Sequence, residues 1–591
     1  MKRSWFKTIL TSGLAATMLV GCGSNGSSGN AVTVNLGSEP PEMASFLCTD
    51  STAGNVLRHV TEGLVTLNPD NEAIPGVAKE IPTKENGGIS KDGKTITFNL
   101  NEAAKWDDGT PVTAQDFEFA WDQLFSPTNG AGYASTWAPL IVGAEDYLNV
   151  AMNLQDEFIK NKKGEMKTEK DKDGNVSTKF ELKDDKAKAD FDKALNDATA
   201  KALKNKGWKA SEDGKTFTVK LTGPYTYFVN LMAFYNFAPL KQEAYENGGG
   251  LDKYANDVEG FLGNGPFKMT EWKHEDTIVL VKNENYWNKD AIKLDQINMR
   301  MIKEPNAALN EFENGTIDMI GLTGEQALNL SKNDKNVLNY SDGSVWYLEF
   351  NHKVKGLNNA KVRQALNMGY DVDTYIETVK GDKSTAANTF TAPSVYGGKY
   401  TESLGNLIKR SKDFSKAKKL LEEGLKEEGL TPATFKISLL GDANEDALKQ
   451  YAYFQNQWKE NLGINVEIEQ VEFKTRIDRM QKHKFDIVFA GWSADYDDPM
   501  SYLDLWLTGG GNNHGQYANP KYDKLVKSAL KEGDPAKREA LLKEAEKLLV
   551  DDCIVGTIYH RQRSYICSDR IQGVVRNAFS DLDLRFAEIK K

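Results

Sequence analysis

The sequence is poor in the residues that build covalent or metal-held scaffolds. Four cysteines in 591 residues exclude a disulfide framework. Six scattered histidines argue against a His-rich metal site. Seventeen prolines and 49 glycines exclude a collagen-like or linker-dominated chain. No charge of one sign dominates: 74 Lys+Arg stand against 85 Asp+Glu, a formal charge of −11. Bulk attraction to nucleic acid is therefore absent, and only a local basic patch would serve that purpose. Beyond the N-terminal segment no apolar run reaches the roughly 18 residues of a membrane-spanning helix. What is present is ordinary globular composition, 40% apolar and 27% charged. Eleven Trp, 22 Tyr and 26 Phe point to aromatic-lined cores or clefts. At roughly 150 residues per domain the length suggests about four domains.

The N-terminus reads as an export signal. Lys2, Arg3 and Lys7 precede an apolar stretch, Ile9 to Val20, too short to span a bilayer. The stretch ends in Leu19-Val20-Gly21-Cys22, which resembles a bacterial lipobox. That resemblance implies cleavage after residue 21, lipidation of Cys22 and attachment to a membrane surface by acyl chains. A plain secretory signal with a chance cysteine is the alternative. The Gly/Ser/Asn-rich residues of 22–30 read as a flexible tether. Cys48, Cys553 and Cys567 remain. Cys553 and Cys567 could bridge, but each sits in a strand-like run, and buried free thiols are the reading favoured.

Strand-like and helix-like segments alternate along the body. Thr95 to Leu100 has period two and predicts a strand. Thr113 opens a helix, with Asp116 three residues on as a capping-box variant and Phe117, Trp121 and Leu124 on one face. Residues 158–205 are crowded with Lys, Asp and Glu and predict a surface excursion, with 187–202 as a solvated helix. From Phe435 to Ala490 the order is β-α-β-α-β, which predicts a parallel sheet covered by helices. Ligands of such sheets sit beyond the carboxyl ends of strands, and Gly491 to Tyr496 (GWSADY) follows the last strand there.

Several motifs fail on context. Gly88 to Thr95 matches G-x-x-x-x-G-K-[ST], but a strand follows where a phosphate-binding helix is needed. Asp213-Gly-Lys-Thr216 repeats the same turn before another strand. Glu169 to Gly174 resembles the start of a calcium loop, but its twelfth position is Phe180, so a solvated turn is the better reading. No H-E-x-x-H, C-x-x-C or G-x-S-x-G pattern occurs in the body. His352, His483, His514 and His560 are isolated in sequence, so nothing advertises a metal or a catalytic set.

Five stretches together resemble one family, the solute-binding lipoproteins of oligopeptide ABC importers (peptide/nickel type). They are Ala104-Lys-Trp-Asp-Asp-Gly-Thr-Pro-Val-Thr-Ala-Gln-Asp-Phe117 with Trp121; Glu62-Gly-Leu64 with Pro75-Gly-Val-Ala78; Asn264-Gly-Pro-Phe267 with Asn285-Tyr-Trp287; Val362-Arg-Gln-Ala-Leu366; and Gly491-Trp-Ser-Ala-Asp-Tyr496. The resemblance implies an α/β fold of the periplasmic-binding-protein type, class II. It has two lobes joined by a hinge, with an extra domain inserted in the first lobe. Carried over, the first lobe takes residues 31–61, 223–303 and 562–591. The extra domain takes 62–222, including the charged stretch 158–205, and the second lobe takes 304–561.

The resemblance also implies a site. Gly491 and Ser493, with Asp50 and Ser51 opposite, would pair with the backbone of an extended peptide. Asp495 would hold the peptide's ammonium, Trp492 would wall a side-chain pocket, and Tyr133 would face the cleft. Asp495 as a turn or helix-capping residue and Trp492 as plain core are the alternatives. Phe489 stands where some members carry an arginine for a short peptide's carboxylate. Arg476, Arg479 or Lys482 would have to substitute, or the ligands are longer or more apolar. Arg363 reads as a structural ion pair. No cofactor and no metal are implied. The partners implied are a peptide and an ABC permease, for a monomer held outside the cytoplasm by its lipid. Another solute (nickel chelate, haem, oligosaccharide), a signalling peptide and a secreted hydrolase are the rival readings.

Overall fold

The computed structural model describes residues 29–590 except 171–175, 226, 334 and 533. The leader, Cys22, most of the tether and the centre of the calcium-like turn lie outside the described residues. Elements are numbered in chain order. The first body begins with β1 (Ala31–Asn35) and α1 (Ser51–Val60), which Asp50 caps by accepting from the Ala53 N–H at 2.9 Å. The alternation at Thr95 forms β2 (Thr95–Asn99), and the helix expected after Thr113 is α2 (Ala114–Leu124). Asp116 accepts from the N–H of Thr113 at 2.7 Å, closing the cap that its spacing predicts. Phe117, Trp121 and Leu124 of α2 are fully buried. Each such burial contributes about 1.5–3 kcal/mol.

The charged stretch is better ordered than a loop. It holds a hairpin, β3 (Gly164–Lys170) and β4 (Val176–Leu182), and a long helix, α3 (Asp185–Lys204), which contains the expected 187–202 segment. Phe158, Phe180 and Phe191 pack together there, with ring centroids 5.1 and 5.5 Å apart. This small cluster is the reason the segment has a shape of its own. β5 (Trp208–Ala210) and β6 (Thr216–Lys220) then pair with β2 in a small sheet. The P-loop lookalike and its repeat are matching turns: Ser90 donates to Asp92 and Ser211 donates to Asp213, each at 2.6 Å.

The remaining strands build the large sheet: β7 (Phe267–Lys273), β8 (Thr277–Lys282), β9 (Gln296–Arg300), β10 (Met319–Leu322), β11 (Leu338–Phe350), β12 (Ile437–Asp442), β13 (Val466–Val471), β14 (Ile487–Ser493) and β15 (Val555–Cys567). Their order is β13-β12-β14-β11-β15-β10-β1-β9-β8-β7, and a two-residue strand, Thr385–Ala386, adds to β15. β12 is parallel to β13 and to β14, with α4 (Glu445–Leu462) and α5 (Phe473–Gln481) as the crossovers, as the periodicity predicts. At the other end β1 is parallel to β9 and β10. The two thirteen-residue strands, β11 and β15, link these ends. β11 lies on β14 through Ser344–Phe350, while the far half of β15 lies on β10. β10 follows residue 304 in the chain yet bonds to β1, so the sheet runs across the sequence division expected there.

Motifs distant in sequence converge on one buried joint. Tyr286 and Trp287 donate to the two carboxylate oxygens of Glu62 at 2.5 and 2.7 Å. Asn264 exchanges two hydrogen bonds with the Glu62 backbone, at 2.8 and 2.9 Å. Burial pushes the Glu62 carboxyl up to about 7 against these donors. Such a joint fixes the fold and leaves ligand chemistry to other residues.

Two expectations need correction. Arg363 is structural but makes no ion pair among the described residues: it donates to the carbonyls of Leu357, Asn358, Asp552 and Cys553 at 2.7–3.0 Å. A Cys553–Cys567 bridge is impossible: Cys553 lies in the turn before β15 and Cys567 at its far end, and the thirteen-residue strand between them spans about 40 Å at ~3.3 Å per residue. Cys48, Cys553 and Cys567 are all free.

Candidate functional site

A cavity of about 370 Å³ lies between the two ends of the sheet. One wall is the end of β14 and the turn after it, and the facing wall is the start of α1. Gly491, Trp492, Ser493 and Asp495 line the first wall, Asp50 and Ser51 the second, and Tyr133 lies beside them. Phe489 does not reach the cavity. Phe489 packs into the core instead, 5.1 Å from Trp346, 5.6 Å from Tyr451 and 5.8 Å from Phe454. Of the three basic substitutes for that position, only Arg476 lines the cavity. Arg479 bonds Glu469 at 2.6 Å, and Lys482 bonds Asp478 at 2.6 Å.

The backbone of β14 has one free edge. On one side β11 pairs with it from Ile487 to Ser493. On the other side β12 pairs with it only at Ile487 and Val488. From Phe489 to Ser493 the second edge has no strand partner among the described residues, and this stretch leads into the cavity. Gly491 must be glycine here. A Cβ at that position would lie 2.7 Å from the Trp346 ring. Trp346, opposite Gly491 on β11, is thus part of the site. Sequence reading missed it because its strand alternation looks like any core strand.

Asp495 is the chemically unusual group. It is part-buried, and Tyr133 donates to its carboxylate at 2.8 Å. Its own N–H is held by the Ser501 hydroxyl at 2.7 Å, so its position is fixed. Burial pushes its carboxyl up to about 8, and the Tyr133 and Ser501 hydrogen bonds only partly offset that. It makes no ion pair among the described residues. Its capping alternative is not what the geometry shows, since no helix starts beside it: the next one begins at Met500. Asp50, by contrast, spends its carboxylate on capping α1. Burial raises it to about 6, against the N–H groups of Ala53 and Thr52. Aromatic rings surround Asp495. Tyr133 stands 5.8 Å from Trp492 and 5.1 Å from Phe234, and Tyr235 lies beside Phe234 at 4.2 Å. Trp492 is anchored by its Nε1–H on the Ser501 carbonyl at 2.8 Å.

Contacts away from the cavity lining join segments distant in the chain. Gly511 donates to Ser135 at 3.1 Å, Lys303 bonds Glu472 at 2.6 Å, and Tyr227 stacks on Tyr496 at 5.4 Å. The result is a half-open, partly apolar cleft with a strand edge on one side and, at one end, an acid that makes no ion pair among the described residues. No cluster of His, Cys, Asp and Glu able to hold a metal occurs among the described residues.

Residues 72–514 match the family model of the bacterial extracellular solute-binding proteins, family 5. The chain belongs to that family. Its relatives include the oligopeptide-binding protein OppA of Bacillus subtilis, 33% identical with both chains fully covered. Among solved structures it is similar to the substrate-binding domain of an oligopeptide ABC transporter from Bacillus anthracis. That match has a TM-score of 0.79 and 29% identity, with 95% of this chain and 99% of that one covered. It is equally similar to Listeria monocytogenes OppA bound to peptide, with a TM-score of 0.79 and 27% identity over 95% and 100% of the two chains. This family-5 fold is α/β and two-lobed.

Proposed function

We propose that this family-5 protein captures oligopeptides outside the cytoplasm and hands them to an ABC permease. The observation that carries the reading is Asp495, a fixed, desolvated carboxylate without a cation, at the end of an unpaired strand edge. An extended peptide satisfies both features. Its main chain adds to the free edge of β14 whatever its side chains are. Its terminal ammonium supplies the missing charge, and in a closed chamber a charge-assisted bond is about twice as strong as a neutral one. Gly491 and Ser493 offer backbone groups, Ser51 faces them, and Trp492 walls a side-chain pocket. The lobes close by a hinge through β11 and β15, driven by contacts to both sides of the ligand. The relatives named for oligopeptide binding support the same reading.

Lipidation of Cys22 would hold the protein at the membrane beside its permease, with 22–30 as the leash. The division into lobes and extra domain given by the sequence belongs to this proposal, as does the monomeric state. The protein is a carrier and has no catalytic step.

The test is mass spectrometry of the ligand retained through mild purification. Peptides with free amino termini are expected. A retained sugar, haem or nickel chelate, or reproducible cleavage of added peptides by the pure protein, would contradict the proposal.

A further inference from the structure

The large sheet curls until its two ends meet, and an ion pair joins them there. β13 is the first strand in the sheet order and β7 the last, and among the described residues no strand of one end pairs with a strand of the other. Glu472 follows β13 directly, Glu275 stands in the turn between β7 and β8, and Lys303 comes soon after β9. The Lys303 ammonium bonds Glu275 and Glu472, each at 2.6 Å.

The two sides of this join are built differently. Glu275 is a fixed hook. Its φ of +62° is left-handed, a conformation a non-glycine residue keeps only where its surroundings hold it. The buried Glu39 does so: one oxygen accepts from the Glu275 N–H and the other bonds the His274 ring, both at 2.7 Å. Glu472 is the half that travels with a helix. It stands just before α5, yet its carboxylate makes no capping bond to that helix and goes to Lys303 instead. From the next residue on, α5 supplies Phe473, Arg476, Ile477 and Met480 to the cavity lining. Its other charges complement the opposite side too. Burial raises the Glu42 and Asp50 carboxyls, to about 7 and about 6, and Lys474 and Arg476 of α5 each pull the other way.

We propose that Lys303, shared between Glu275 and Glu472, is an ionic clasp that biases the two lobes toward closure and makes closure sensitive to salt. The three side chains are 32–55% exposed, and ion pairs this exposed are weak and screened by salt. The clasp therefore shifts the balance a few fold and does not lock it. Opening also leaves no buried charge behind. Lys303 keeps Glu275 as its resident partner, and the released Glu472 carboxylate passes into water. A carrier that must reopen to give up its cargo needs a hold of this kind. The inference rests on the two-lobed fold and its hinge, and it is independent of which ligand the cavity takes.

The experiment is pulsed electron-spin resonance on the whole protein without ligand. Spin labels go on Glu271→Cys and Thr475→Cys, both exposed and on opposite sides of the join, with Cys567→Ser to keep the labels there. Between about 20 mM and about 500 mM salt the ratio of short to long distances should fall about threefold. Lys303→Met should show the low ratio at both salt concentrations. Lys303→Arg should restore the response, and so should the exchange Lys303→Glu/Glu472→Lys, in which the new lysine meets two glutamates. Equal ratios in the wild-type protein and Lys303→Met at low salt, or a salt response of full size in Lys303→Met, would overturn the clasp.

Discussion

Asp495 and Asp583 are two aspartates out of bulk water, and the molecule treats them in opposite ways. Asp583 belongs to the C-terminal hairpin, β16 (Val575–Asn577) and β17 (Ser580–Asp583), packed against α1. Burial would raise its carboxyl, but Arg585 grips both oxygens, at 2.9 and 2.6 Å, and holds it well below the usual range. Asp495 meets the same desolvation with hydroxyl donors alone and is pushed up to about 8. A structural charge is neutralised within the chain. A charge left for a ligand is fixed in place and kept without a partner, at a cost to the empty protein.

The largest test of the contrast is Asp583→Asn. It leaves the Arg585 guanidinium buried without its anion, and a loss of about 3–5 kcal/mol is expected from broken buried pairs of this kind. Urea denaturation should show the midpoint falling accordingly. Asp495→Asn should act with the other sign on the empty protein, raising its stability by about 1–3 kcal/mol. The same variant should lose about 1.5–3 kcal/mol of peptide affinity by calorimetry, the value of a hydrogen bond to a charged group.

The pH dependence sharpens the comparison. Burial raises the Asp495 carboxyl from the ordinary aspartate range to about 8 in the folded protein. Its contribution to stability is therefore full below pH ~4 and lost as pH rises through about 8. The advantage of Asp495→Asn should grow over that window and vanish at its acid end. Asp583, held low, works in reverse: its stabilisation is present above pH ~4 and is lost as pH falls. Peptide binding must ionise Asp495, so near pH 7 capture should release close to one proton. Titration in buffers of different ionisation enthalpy measures this, and equal heats in all buffers would break the link. The smallest effect is expected for Tyr133→Phe. It removes one hydrogen bond to the carboxylate, costs about 1 kcal/mol of affinity, and moves the midpoint of the pH profile upward.

Much of this was readable before the fold was known, wherever the signal is local. The β12-α4-β13-α5-β14 run declares itself by period, and the Thr113–Asp116 cap by spacing. The GWSADY stretch declares itself by following the last parallel strand. What stayed hidden depends on partners far away in the chain. Nothing near Ala31 announces that it will lie beside Gln296. Phe489 looks like part of the binding lip until Tyr451 and Phe454 pack against it. Trp346 becomes part of the site only once β11 is placed against β14, and only the placement of α5 separates Arg476, which lines the cavity, from Arg479 and Lys482, which do not. The charged excursion hides three phenylalanines behind its lysines, too widely spaced to show a period.

The most direct measurement is a two-by-two calorimetric cycle. It pairs wild-type protein and Asp495→Asn with one peptide bearing a free or an acetylated amino terminus. If the carboxylate holds the ammonium, acetylation weakens wild-type binding about thirtyfold and the variant hardly at all, a coupling of about 2 kcal/mol. Equal losses in both proteins would show that Asp495 and the amino terminus never meet.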